Sequence, residues 1–144
     1  VSKNFRFYFT LNIKSMFTIA QIKEAHDKVK SGADFPKYIQ DLINLGVIGY
    51  DTFVADGHVE YFGADNYRTT ATETYATLAV ASSANKERFI EFLVMHQEGQ
   101  TDYLTFCHQA AQCGIAQWTV NIVEKTCTYF DNNQNSILIE KIPL

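Results

Sequence analysis

The densest run of residues that could do chemistry is Asp56-Gly57-His58-Val59-Glu60. Side chains alternate between the faces of an extended strand, so Asp56, His58 and Glu60 would share one face at i, i+2 and i+4. Two carboxylates and an imidazole suit a divalent cation, or a histidine general base oriented by an acid. The plainer reading is a solvated hairpin face, with Asp56 present for its turn conformation.

Other candidates are weaker. Cys107 and His108 are neighbours in sequence, but adjacent helical positions point about 100° apart and cannot pair thiolate with imidazole. Cys107 shares an apolar stripe with Tyr103 and Ala110, which reads as packing. Cys113 lies on another face, and Cys127 should point inward. No Cys/His zinc spacing, glycine-rich phosphate loop, GxSxG elbow or HExxH occurs, so neither metal nor cofactor is expected. His26 and His96 read as histidines at a packed edge. Tyr50 and Trp118 read as core anchors that could also line a ligand cleft, being apolar with a polar handle.

The elements that hold these residues follow from periodicity and caps. Thr18 with Gln21 is a capping box before Ile19, Ile22, His26 and Val29, a stripe that Gly32 should stop. Asp34 should cap a second helix carrying Phe35, Tyr38, Ile39 and Leu42, ending at Gly46. Residues 47–55 and 58–62 read as strands joined by a type I′ turn at Asp56-Gly57, with a third strand over 72–80. The programme then recurs. Asn85 caps one helix, stopped at Gly99, and Thr101 or Asp102 caps another, stopped at Gly114. Strands follow at 115–123, 126–130 and 137–142.

A shift of 68 carries Asp34 onto Asp102, Tyr38 onto Phe106, Gly46 onto Gly114, Tyr50 onto Trp118 and Tyr61 onto Tyr129. A shift of 67 carries Thr18 onto Asn85 and Gly32 onto Gly99. This predicts two repeats, about 18–82 and 85–144, sharing one domain over 16–144. Each repeat alone could bury only a modest core. The cleft between them is the expected place for a small molecule, and a sheet edge or that cleft the place for a homodimer. The equivalents of Asp56, His58 and Glu60 are Glu124, Thr126 and Thr128, so any acid–base or metal site there would belong to one repeat only.

Composition bounds the function. The chain has 144 residues, 47% hydrophobic and 19% charged, with a net charge of −4. That balance excludes intrinsic disorder, and it argues against a nucleic-acid surface or a polybasic membrane patch. No apolar run approaches the ~20 residues that cross a bilayer. The three cysteines, an odd number, fit a reduced, cytoplasmic setting. Residues 1–15 carry Lys3, Arg6 and Lys14 and no acid. Phe5, Phe7, Phe9, Leu11 and Ile13 alternate there like a half-buried strand. The competing reading is an over-long gene call ahead of a natural start at Met16.

From Met16 onward the chain resembles a bacterial family of unknown function, often labelled phage envelope protein. The stretches SGADFPKYIQDL (31–42), YDTFVADGHVEYFGAD (50–65), TDYLTFC (101–107), GIAQW (114–118) and TCTYFDNNQNSILIEKIP (126–143) carry the likeness. The resemblance implies bacterial or prophage carriage and a compact α+β domain, and it brings no established reaction.

The expected fold is α+β, a tandem duplication of a helix-helix-three-strand antiparallel unit with helices on one side of the sheet. The expected function is a non-catalytic binding or interaction module. Two rivals stay open: a small hydrolase or lyase-type enzyme using His58 with Asp56 or Glu60, and a phage-associated structural protein.

Overall fold

In a computed structural model, residues 16–144 are described, so the alternating segment 5–13 lies outside the described residues. The chain runs through α1 (Ile19–His26), a 3-10 turn (Gly32–Asp34), α2 (Phe35–Leu45), β1 (Val47–Phe53) and β2 (Val59–Gly63). A second 3-10 turn (Ala64–Asn66) leads to β3 (Arg68–Ala71). Then come α3 (Lys86–Gln97), α4 (Tyr103–Gln112), β4 (Gln117–Asn121), β5 (Thr126–Phe130) and β6 (Ser136–Lys141). The architecture is α+β, with helices packed on an antiparallel sheet of strand order β3-β2-β1-β4-β5-β6.

That order reads alike from either edge when β1, β2 and β3 exchange with β4, β5 and β6. The registers agree with it. Asp51 and Thr119, related by the shift of 68, are partners in the central β1–β4 ladder. The same shift carries the pair Tyr50–Tyr61 onto Trp118–Tyr129. On the outer face Thr119 Oγ1 donates to Asp51 Oδ1 at 2.7 Å.

The caps explain where helices begin. Thr18 Oγ1 accepts the Gln21 N–H at 3.2 Å, and the Gln21 side chain accepts the Thr18 N–H at 2.9 Å. That capping box starts α1 as the sequence predicts. The helix then ends at His26 and does not run on to Gly32. A new capped turn intervenes: Ser31 Oγ accepts the Ala33 N–H, while Asp34 Oδ2 accepts the Lys30 and Ser31 N–H groups. Asp34 is therefore committed to the 3-10 turn and makes no side-chain cap on α2. Gly32 is required there by space, because a Cβ would stand 2.2 Å from the His96 carbonyl oxygen. In the second half Asn85 caps α3 through the Arg88 N–H, and Asp102 caps α4 through the Thr105 N–H at 2.8 Å.

Two strand expectations are corrected. The β1–β2 connection is longer than a two-residue turn, because β1 stops at Phe53 and β2 starts at Val59. Only Gly57 takes positive φ, at 79°. Asp56 instead spends its carboxylate on the His58 N–H at 3.0 Å, an Asx-type turn. The third strand is Arg68–Ala71, and 72–80 is not extended into the sheet. That segment folds over the hairpin end. Thr74 and Leu78 donate backbone N–H groups to the Asp56 and Ala55 carbonyls, and the Tyr75 hydroxyl donates to the Val54 carbonyl at 2.6 Å. Strand propensity in 72–80 lost to these tertiary hydrogen bonds.

The inner sheet face carries buried Tyr50, Thr52, Tyr61, Trp118, Val120 and Tyr129. Against it pack Ile39 and Leu42 of α2, Phe89 of α3 and Phe106 of α4. Among the described residues no helix is long and apolar enough to cross a membrane.

Candidate functional site

Between the helices and the inner sheet face lies a cavity of about 430 Å³, within the range that takes small ligands. Both halves build it. The first contributes Tyr38 from α2 and Tyr50, Thr52 and Tyr61 from β1 and β2; the second contributes Phe106 from α4 and Trp118, Cys127 and Tyr129 from β4 and β5. His26 at the end of α1 and His96 near the end of α3 complete the helical side, and Glu140 of β6 stands on the lining.

The aromatic residues form two clusters. Tyr50 lies 6.4 Å from Tyr38 and 5.5 Å from Tyr61, centroid to centroid. Trp118 lies 5.5 Å from Phe106 and 6.0 Å from Tyr129. Such tilted and edge-on contacts are the favoured aromatic geometries. His26 bridges the halves, with its ring edge-on to both Tyr38 and Tyr103 at 5.3 and 5.2 Å. The His96 ring stacks on Phe106 at 4.4 Å.

Burial decides the protonation states. It lifts the hydroxyl pKa of Tyr50, with Cys127, Tyr61 and Tyr103 adding to the rise, and it lifts those of Tyr38, Tyr61 and Tyr129. All four remain phenols that can donate. Burial lowers the pKa of His26 against the opposing pull of Asp27, and that of His96 against Thr101 and Asp102. Both imidazoles are neutral at pH 7. The Tyr38 and Tyr61 hydroxyls are hydrogen-bonded to each other at 3.2 Å, whereas the Tyr129 hydroxyl donates to Glu140 at 2.9 Å.

The sequence candidates separate. Tyr50 and Trp118 both line the cavity; Asp56, His58 and Glu60 do not. His58 Nδ1 and Asp56 Oδ1 are 2.6 Å apart, and the imidazole stacks on Phe53 at 4.2 Å. Hydrogen bonds from His58, the backbone one first, hold the Asp56 carboxyl below its ordinary pKa. Glu60 turns instead to Arg68 at 3.2 Å. The three residues therefore do not converge on one point. Among the described residues, no group of three or more His, Cys, Asp or Glu side chains could hold a metal ion.

The thiols are inert. Cys107 is fully buried beside Tyr75 and Tyr103, and burial pushes its pKa up to about 11. His108 is exposed, so the two do not pair. Cys127 is pushed up to about 12 by burial.

Tyr38, Tyr61, Tyr129 and Thr52 line the cavity and were not singled out as binding residues from the sequence. A signal existed: the shift of 68 pairs Tyr38 with Phe106 and Tyr61 with Tyr129, just as it pairs Tyr50 with Trp118. Aromatics repeated on inward-facing positions of facing elements mark the walls of a shared interior.

No curated protein matches this chain. A family model described as protein of unknown function (DUF1398) matches residues 23–141, and the chain belongs to that family.

Proposed function

We propose that the protein is a non-catalytic binding module that holds a small molecule in the cavity between its helices and its sheet. One observation carries this reading: a space of about 430 Å³ is walled by aromatic side chains from both halves of the chain. A concave, mostly apolar space of this size with a few polar groups on its walls is the usual form of a small-molecule site. We also propose that the halves descend from one duplicated unit within a single domain. Supporting this are the mirrored strand order and the register pairs related by the shift of 68.

Trp118 is the only tryptophan, so its fluorescence reports on the cavity directly. The test is a fragment screen by thermal shift and Trp118 emission, on the wild type and on Val59→Phe. Val59 lines the cavity, and the larger side chain should occupy part of it. Ligands of the cavity raise Tm and alter emission in the wild type, and lose both effects in a folded Val59→Phe. Hits that bind the two proteins equally, or no hits at millimolar concentration, overturn the reading.

The 2.6 Å contact between Asp56 and His58 favours the rival, an acid–base enzyme. The cavity does not reach this pair, and turn formation already accounts for it. His58→Ala should leave the screen's hits unchanged; loss of the same hits would move the site to the hairpin.

A further inference from the structure

We propose that the ligand of the cavity is an uncharged aromatic molecule that presents a carbonyl or hydroxyl oxygen to the Tyr50 hydroxyl. This rests on the binding reading above and adds the chemical class.

Three observations carry it. The first is a surplus of donors. The side-chain hydrogen bonds made by the lining join Ala33 to Ser31, Tyr38 to Tyr61, Tyr129 and Gln97 to Glu140, and His96 to Thr101. Among the described residues none engages the Tyr50 hydroxyl, the Thr52 hydroxyl or the Trp118 indole N–H. These residues are only 5%, 1% and 6% exposed, and all three line the cavity. None of the three is among the sealed polar atoms that lack a partner, so they stand open to the cavity, where an acceptor oxygen on a ligand can meet them.

The second observation concerns charge. Glu140 is the carboxylate on the lining, and both its oxygens already accept hydrogen bonds from Tyr129 or Gln97. Lys141 is on the lining too, but its side chain is exposed to solvent at the mouth. A charged ligand taken inside would be desolvated where the carboxylate is already engaged and the ammonium stays out in solvent, which is unfavourable. The third is shape. Aromatic rings of both clusters bound the space, and flat rings pack best against flat or edge-on rings.

The experiment uses the full chain and calorimetric titration at pH 7 with five probes on related ring skeletons. They are 2-naphthol, naphthalene, 2-naphthoate, (2-naphthylmethyl)trimethylammonium and decahydro-2-naphthol. The expected order puts 2-naphthol first, at least tenfold tighter than the carboxylate, the ammonium and the saturated alcohol. Tyr50→Phe should weaken 2-naphthol about tenfold and leave naphthalene unchanged. Thr52→Val, a second mild change on the same wall, should weaken 2-naphthol less. Tightest binding by either charged probe or by the saturated alcohol overturns the chemical class, and so does a folded Tyr50→Phe that binds 2-naphthol as the wild type does. If no naphthalene probe binds while the fragment screen yields cavity-dependent hits, the class fails and the binding reading stands. If the screen also yields none, both fail.

Discussion

Tyr38, Tyr50 and Tyr61 form one wall of the cavity, and Phe106, Trp118 and Tyr129, their counterparts 68 residues later, form the other. The backbone positions match, but the polar atoms are handled differently. In the first half two hydroxyls satisfy each other at 3.2 Å. In the second, Phe106 has no hydroxyl to offer, so Tyr129 reaches 2.9 Å to Glu140 on β6. Position along the chain determines where a ring sits, and the neighbouring strand determines what its oxygen does. The buried polar atoms without partners among the described residues, Asp41 Oδ2 and Gln109 Oε1, are related by the same shift. The two halves share even their awkward positions.

The strongest test of equivalence is truncation at the matched strand positions. Tyr50→Ala and Trp118→Ala should each cost about 3–5 kcal/mol in urea unfolding, the usual range for a buried large aromatic. Costs differing by more than about 2 kcal/mol would mean that one wall carries the core and the other merely borders the space.

Next in size are the hydroxyls. Tyr61→Phe strands the Tyr38 oxygen and should cost about 1–3 kcal/mol, whereas Tyr38→Phe with Tyr61→Phe should be close to neutral, since both partners go together. Tyr129→Phe should cost about 1 kcal/mol, because Glu140 keeps Gln97 as a donor. A full double-mutant cycle with no coupling between Tyr38 and Tyr61 would remove the contrast between the walls.

The caps sharpen the comparison at about 1 kcal/mol each. Asp102→Ala should loosen amide exchange in the first turn of α4. Its counterpart Asp34→Ala should loosen the Ser31–Asp34 turn and leave α2 protected, because Asp34 bonds backward to Lys30 and Ser31. Loosening of α2 by Asp34→Ala would show the two positions to be equivalent after all.

The smallest expected effect is a pH slope. The folded pKa values of His26 and His96 lie below the ordinary value of 6.5. Between those lowered values and 6.5 the unfolded chain binds more protons, so stability falls as pH drops below about 6.5. Asp56, Asp102 and Asp131 are shifted below 3.8, so their contribution is present above 3.8 and is lost only as pH falls through their lowered values. Thermal unfolding from pH 7 to 5 should therefore decline in the wild type and flatten in His26→Gln/His96→Gln. An unchanged slope in the double variant would exclude both histidines.

Local signals located most of the elements. The Thr18 capping box, the Asn85 cap and the α2 stop at Gly46 depend on a few adjacent residues and stand where the spacing puts them. The misplacements came where distant chain competed for the same backbone groups. Gly32 looked like a helix stop, but it exists because α3 passes close by at His96. Residues 72–80 looked like a strand, but their donors go to the hairpin loop. At the candidate site, the pairing of Tyr50 with Trp118 was readable, whereas His58 drew attention because its neighbours in sequence are acidic. Alternation put Asp56 and Glu60 on one face with it; the turn kept Asp56 and left Glu60 to Arg68.

Periodicity, caps and the shift of 68 determined by themselves that this is an α+β chain with corresponding aromatics in its two halves, since those features need only residues a few positions apart. Only the tertiary structure decided that β1 and β4 meet at Asp51 and Thr119, that the aromatics border a shared space, and that Tyr50, Thr52 and Trp118 line it together. Contacts between residues 68 apart depend on how the elements pack, and no short-range pattern encodes the volume left between them.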